Sequence, residues 1–390
     1  MKKSLLPAFP EERLFFERPH SASIIINNYN YATFVGEAIK SALAQTHPAQ
    51  IIVVDDGSTD ESRAVIQKFG TRIETVFKSN GGQASALNTG FTRAKGGIIF
   101  FLDSDDLLEP NAVADILSVW RVGTVLAHYP MTIIDAHNTE HGITPGAPAR
   151  LADGDVRNEL LTTGSFASTT MSGMAFFRAA LDRVMPMPER SFVYAADGYL
   201  LRAMAFLGPV QYVELRLARY RLHDRNDSDP LSGVMLNADA VHTASAGFRK
   251  KIRYSQNEFE TTKKFAEINA LPVVPNLGER HADFLGYRLF SLLLDPAHHP
   301  IAGDRRFNLL RRYVVRRWLS SWPLRRRAMA VSLAATAALV NSSSALRLIS
   351  WMHGTNNRPQ WFRNLAALLR RKANAGLHVN RVKEDQILSL

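Results

Sequence analysis

The chain has 390 residues, 46% of them hydrophobic, a net charge of +11 and no cysteine. This length exceeds what one hydrophobic core usually fills, so two or three structural units are expected, and the lack of cysteine excludes disulfides, thiolate zinc sites and a thiol nucleophile. The charge is local: residues 301–390 hold 17 Lys and Arg against 3 Asp and Glu, a balance of +14 that leaves −3 for residues 1–300, so a mildly acidic body carries a basic attachment region and no nucleic-acid partner is expected.

The lead segment, residues 1–20, begins with two lysines, but Pro7, Pro10, Glu11 and Glu12 break its apolar run. That makes a poor signal peptide and points to a cytoplasmic protein. Four strand-like runs follow, SIII (23–26), IIVV (51–54), IETVF (73–77) and IIFFL (98–102), each short, continuous and rich in branched or aromatic residues. Helical patterns lie between them. ATFVGEAIKSALAQ sets Phe34, Ala38 and Leu43 to one side, STDESRAVIQKF opens with Ser58 and Glu61 at capping-box spacing, and GQASALNTGFTRA gathers Ala84, Leu87 and Phe91 on a common face. This βαβαβαβ series predicts a parallel sheet covered by helices on both faces, with ligands bound beyond the carboxyl ends of its strands.

The groups after the strands are NNYN (27–30), DDGS (55–58), SNGGQ (79–83) and DSDD (103–106). Asp103, Asp105 and Asp106 place three carboxylates within four positions, an arrangement that costs free energy unless a cation or a set of donors offsets it. A helix cap accounts for one aspartate, not three, so a divalent metal, Mn2+ or Mg2+, is the favoured reading. A dinucleotide-binding dehydrogenase would need a glycine-rich turn after the first strand. NNYNYA has no glycine, and neither a Walker loop nor a G-x-S-x-G elbow is present. Any phosphates are therefore expected to be held through the metal.

The stretch IIINNYNYATFVGEAIKSALAQTHPAQIIVVDDGSTDES, followed by NGGQASALNTGFTRAKGGIIFFLDSDDLLEP, resembles the nucleotide-sugar half of the inverting family 2 glycosyltransferases. The likeness runs from about residue 23 to 120 and continues more weakly through SGMAFFRAALDRVMP, AADGYLLRAMAFLG and YRLHDRNDS. It implies the GT-A fold, a Rossmann-like, mainly parallel sheet flanked by helices, and transfer of a sugar from a nucleoside diphosphate sugar, a UDP-sugar foremost, to a glycan or lipid-linked hydroxyl. It further implies that Asp105 ligates the metal, with Asp103 and Ser104 at the ribose and metal shell, and that Asp56 meets the base. Asp106 is read as support behind the metal or as a helix cap, and Asp55 as structural.

From the residues alone, Asp56 stays open between a base contact and an ordinary Asp-Gly turn, and Tyr29 between a ring against the base and a half-buried tyrosine. Asn27 belongs to the same first-strand loop. Asn80, Gly81 and Gly82 allow either a close backbone approach to the donor or a simple strand-to-helix turn. The resemblance places the catalytic base in an acidic pair ahead of a helix; here that pair reads Ala196-Asp197, so Asp197 is the remaining acid, with a helix N-cap as its alternative. His223 is carried over as a group near the metal or diphosphate, with a satisfied core or surface histidine as its alternative. Arg221 and Arg225 are open between phosphate contacts and solvated charges, the latter favoured, and TTGSFASTTMSG (162–173) is read as an acceptor-facing loop.

These expectations divide the chain into a lead (1–20), a catalytic unit (21–232, with donor half 21–125 and acceptor half 126–232) and a basic, mainly helical region (233–390). In that last region RRFNLLRRYVVRRWLSSWPLRRR sets arginines beside Tyr313, Trp318 and Trp322, residues 328–340 form an uncharged apolar run too short to span a bilayer, and PQWFRNLAALLRRK (359–372) is amphipathic. Either these helices lie on an anionic membrane at the inner face of the cell membrane, or their apolar faces pack on the catalytic unit or on a second copy in a homo-oligomer. Two rival functions remain: a nucleotidylyltransferase of the same fold, and a catalytically degenerate glycan- or membrane-binding protein.

Overall fold

A computed structural model describes residues 18–146, 150–223, 226, 240–320 and 324–352. The lead up to residue 17, Trp322, Asp224, Arg225, Asp227 and the amphipathic segment 359–372 lie outside these residues.

Strand β1 (Ala22–Asn28) is followed by α1 (Val35–Leu43), β2 (Gln50–Asp55), α2 (Ser62–Gln67), β3 (Glu74–Phe77), α3 (Gln83–Arg93) and β4 (Ile98–Asp103), which is the alternation expected. β1 pairs in parallel with β2 and β4, and β2 with β3. Ile24, Ile25, Ile26, Val53 and Phe100 are buried on this sheet, each contributing about 1.5–3 kcal/mol on removal from water. Both strand faces are covered, which is why the runs are continuous rather than alternating. Gly96 lets the chain into β4 past β1, since a Cβ there would lie 2.3 Å from the backbone of Ala22 and Ser23.

The chain then forms β5 (Leu107–Leu108), α4 (Ala112–Val119), β6 (Leu126–His128), β7 (Met131–Ile134), β8 (Glu140–Thr144), α5 (Arg157–Thr163), β9 (Met174–Phe177), α6 (Arg178–Leu181), α7 (Ala196–Ala205), β10 (Val210–Tyr212) and β11 (Ala218–Arg221). The main sheet has seven strands in the order β10-β6-β9-β4-β1-β2-β3, and only β9 runs against its neighbours. A second sheet of four strands, β5-β11-β7-β8, stands beside it. This mainly parallel sheet between helices is the GT-A architecture.

Five helices follow, α8 (Ala240–Ile268), α9 (Ala282–Leu294), α10 (Arg306–Trp318), α11 (Leu324–Ala337) and α12 (Ser342–Met352). They share a second core of Phe248, Leu289, Phe290, Tyr313, Leu346 and Ile349 with their neighbours, while Ala266 near the end of α8 joins the core of the main sheet. The apolar run at 328–340 lies in α11 and the turn after it, with Ala330, Ala334, Ala337 and Ala338 buried. That stretch therefore packs, rather than lying on a surface. Among the described residues no helix is long and apolar enough to cross a membrane.

Two local expectations change. Ser58 and Glu61 do not form a capping box: Ser58 Oγ accepts from the Asn30 N–H and from Asn28 Nδ2, and α2 starts only at Ser62, whose N–H donates to Asp60 Oδ1. The serine is drawn to the first-strand loop because that loop carries orphan donors of its own. Asp106 caps no helix; α4 begins after Asn111, and a short strand intervenes.

Candidate active site

Register sets the site. In the β1–β4 ladder Asn27 faces Asp103, and in the β1–β2 ladder Asn28 faces Asp55, so four strand ends deliver polar groups to one edge. Asn27 Nδ2 donates to Asp103 Oδ1 at 3.2 Å, leaving Asn27 Oδ1 buried with no protein partner. Asp55 accepts from Asn28 Nδ2 and from the Ser58 N–H, which gives it the structural part expected of it. A cavity of about 600 Å³ opens over this edge.

Asp56 lines the cavity with Tyr29 and Asn80. Its carboxylate accepts from Lys78 Nζ at 2.6 Å, the Gly81 N–H at 3.0 Å and the Gly82 N–H at 2.7 Å. Three donors on about four lone-pair directions leave room for one more. The two glycine amides are thus turned towards Asp56, and Gly81 is absent from the cavity wall. Gly82 has φ +87°, and a Cβ on it would lie 2.8 Å from Val193 Cα, so glycine permits both the turn and contact with the loop before α7.

Asp103, Ser104, Asp105 and Asp106 all border the cavity. Burial and the charges of Asp105 and Asp197 push the Asp103 carboxyl up to about 7, and burial with its two neighbours also raises Asp106. Asp106 accepts from the Arg221 N–H at 2.8 Å, which is the support expected behind the cluster. His223 does not reach the cavity wall; its Nε2 lies 2.9 Å from Asp105 Oδ2, and its ring stacks on Phe34 with centroids 5.1 Å apart.

Arg221 is not the solvated charge expected. It is fully buried, donates to the Asp105 carbonyl at 2.7 Å and to Glu37 at 2.8 Å, and lies over the Phe34 ring. A buried guanidinium needs such partners, and the sequence offered no sign that Glu37, 184 positions away, would supply one. Among the described residues no three ligating side chains gather around one point. A cation there would need substrate oxygens besides Asp105 and His223, which is the usual habit of Mg2+-type sites. The repulsion within the aspartate cluster fits an added positive charge.

The opposite wall is built from distant parts of the chain. Asp197 lies inside the first turn of α7, after Ala195 in the left-handed conformation at φ +56°, so it is not the N-cap. Its Oδ1 accepts from the Gly198 N–H at 2.9 Å; burial raises its pKa, against the charges of Lys251 and Arg202. α8 adds Lys251, Tyr254, Ser255 and Glu258 to this wall, and the start of α9 adds Asp283 and Tyr287. Glu258 is held by Arg202 at 2.6 Å, and burial raises its pKa. Of the Ser/Thr-rich loop only the end, at Thr170 and Met171, reaches the cavity; Thr162 and Thr163 are spent on the carbonyls of α5.

Sequence reasoning missed Gln83. Its Nε2 donates to Asp103 Oδ1 at 3.1 Å and its Oε1 accepts the Ala196 N–H at 3.0 Å, which joins the aspartate cluster to the start of α7. Its position at the end of SNGGQ was visible, but the partner 113 residues on was not. Glu258 was missed for the same reason.

The family model for glycosyl transferase family 2 matches residues 23–184. An uncharacterized glycosyltransferase of Nostoc sp. is 34% identical over 239 residues, 60% of this chain and 73% of that protein. One of Rickettsia prowazekii is 47% identical over 92 residues, which is 23% of this chain and 29% of that protein. Among solved structures, a mannosyltransferase from Pyrobaculum calidifontis in complex with GDP-Man and Mn2+ aligns with TM-score 0.43 at 15% identity, covering 88% of this chain and 90% of that one.

Proposed function

Because the chain belongs to the family 2 glycosyltransferases, we propose that it moves a hexosyl group from a nucleoside diphosphate sugar, foremost a UDP-sugar, to a hydroxyl of a glycan or lipid-linked acceptor, with inversion and with Mn2+ or Mg2+. One observation carries this: the aspartates after β4 and Asp197 at the start of α7 border one cavity and are tied together through Gln83.

Asp105 and His223 would hold the cation, with Asp103 and Ser104 beside the ribose. When bound, the cation supplies charge neutralisation to the departing diphosphate. Tyr29, Asn27 and the remaining acceptor direction of Asp56 receive the nucleoside, with Asn80 and Gly82 bordering it. Asp197 takes the proton from the acceptor hydroxyl as that oxygen attacks the anomeric carbon. Arg202 and Glu258 set the electrostatic surroundings of that base. The enzyme acts as a cytoplasmic protein, peripheral at the inner face of the cell membrane.

The test is a thermal-shift screen of nucleotide sugars with and without Mn2+, since a ligand that binds the folded state raises its apparent stability, followed by the anomeric configuration of the transferred sugar. Metal-dependent stabilisation by one donor and an inverted product are expected. Stabilisation by a nucleoside triphosphate with diphosphate release would favour the nucleotidylyltransferase instead, and binding without turnover a degenerate binding protein, which the alanine at position 196 would suit.

A further inference from the structure

Helix α10 carries an apolar stripe on its outer side that the enzyme's cavity does not use. Phe307, Val315 and Trp318 are 64%, 50% and 46% exposed, and Leu319, just past the helix end, is 70% exposed. With exposed Arg311 they follow the spacing i, i+4, i+8, i+11, which places them on one face. The inner face runs through Leu309, Tyr313 and Arg317, all buried. A globular helix usually turns its single apolar stripe inwards; here there are two, and the outer one meets solvent.

Charge narrows what can cover that stripe. From residue 305 to 352 the chain has ten arginines and no acidic residue. A second copy docked face to face would set arginines against arginines. The chain's own segment 353–390 is a poor cover for the same reason, with seven Lys and Arg against two acids. An anionic surface with an apolar interior meets both features, because arginine pairs with phosphate while tryptophan and phenylalanine settle at the headgroup level. The end of the stripe also lies beside the cavity: Arg317, which precedes Trp318, pairs with Asp283 on the acceptor wall.

We propose that the outward face of α10, formed by Phe307, Arg311, Val315, Trp318 and Leu319, binds the headgroup region of an anionic lipid bilayer and sets the acceptor side of the cavity beside it. The surface stands on geometry and charge alone. Its use in taking a lipid-linked acceptor rests on the transfer reading, and the experiment below contains no donor or acceptor, so the two fail separately.

The full chain is sedimented with vesicles of phosphatidylcholine alone or with about one-third phosphatidylglycerol. Binding to the anionic vesicles that weakens with salt is expected. The double variant Trp318→Ser with Leu319→Ser should weaken it by ~10-fold or more at an unchanged melting temperature, since both side chains are exposed. Arg311→Glu should weaken binding and flatten its salt dependence. Three results would overturn the proposal: no binding by the parent chain at low salt; binding equal in both variants but lost on removing residues 353–390, which would assign the contact to that segment; or variants that keep binding vesicles while losing self-association, which would make the face an interface between copies.

Discussion

The two walls of the cavity are made in different ways. The donor wall consists of the residues that directly follow β1, β2, β3 and β4, so its parts are positioned by strand register and lie within about the first quarter of the chain. The acceptor wall draws Val193–Asp197, α8 and the start of α9 from across roughly a hundred positions, and side-chain pairs such as Arg202 with Glu258 hold it together. A wall set by register tolerates change in its surroundings, whereas one set by packing depends on helices that a reading of motifs would assign to an appendage. The difference can be pressed experimentally from both sides.

The largest effect should come from the donor wall. Asp105→Asn removes the carboxylate beside His223 and should lower turnover by about 1,000-fold, with loss of metal-dependent donor stabilisation and an unchanged fold by circular dichroism; retained Mn2+-stimulated activity would remove Asp105 from the metal site. Next comes Asp197→Asn, for which loss of a general base predicts at least ~100-fold lower turnover, while donor affinity, held by the opposite wall, stays within error. If donor binding falls equally, the residue is holding structure.

The parent enzyme adds a pH test of the same group. Burial disfavours the charged form of Asp197, so its proton leaves at higher pH than that of an exposed aspartate. The base works only unprotonated, so kcat/KM should decline as the pH falls through a value above the ordinary carboxylate range and hold above it. An acid limb that survives Asp197→Asn unaltered would assign it to another group.

Smaller effects report on assembly. Glu258→Ala leaves the Arg202 guanidinium buried without its carboxylate, a loss worth about 3 kcal/mol, measurable by denaturant unfolding and accompanied by weaker acceptor use. Stability unchanged to within error would mean that α8 is only loosely joined to the acceptor wall. Gly82→Ala forces a side chain into a positive-φ turn against the Val193 backbone and should cost about 1–2 kcal/mol, with the donor wall otherwise intact.

Legibility in the sequence follows the same division. Strand ends, their order and the aspartate cluster could be read because apolar runs fix strands, strands fix register, and register fixes which residues meet. Asp103, Asp105 and Asp197, which border the cavity, were picked out this way or through family likeness. Gln83 and Glu258 were not, because an amide or a carboxylate in an amphipathic helix has no local mark until its partner is in place. Arg221 was misread for a related reason: burial of a charged residue in a short strand depends on Glu37 and on the Asp105 carbonyl, neither of which lies near it in the chain. The tail was read as two equal alternatives, and α11 and α10 divide them: one closes on its alanines, the other shows aromatic and aliphatic side chains outwards.

The start of α3 has a further consequence. Its first two amides, those of Gln83 and Ala84, donate to the carbonyls of Val193 and Phe192 at 2.7 and 3.2 Å. In many nucleotide-binding folds the exposed amides at a helix start form the seat for a phosphate. Here main-chain oxygens from the far wall already occupy that seat, so the positive end of the helix serves as a latch between the two walls and is withdrawn from anion binding. A diphosphate entering this cavity finds its compensating charge elsewhere, and a loosened latch would free the loop before α7 at the same moment as it uncovered a rival resting place for the phosphates.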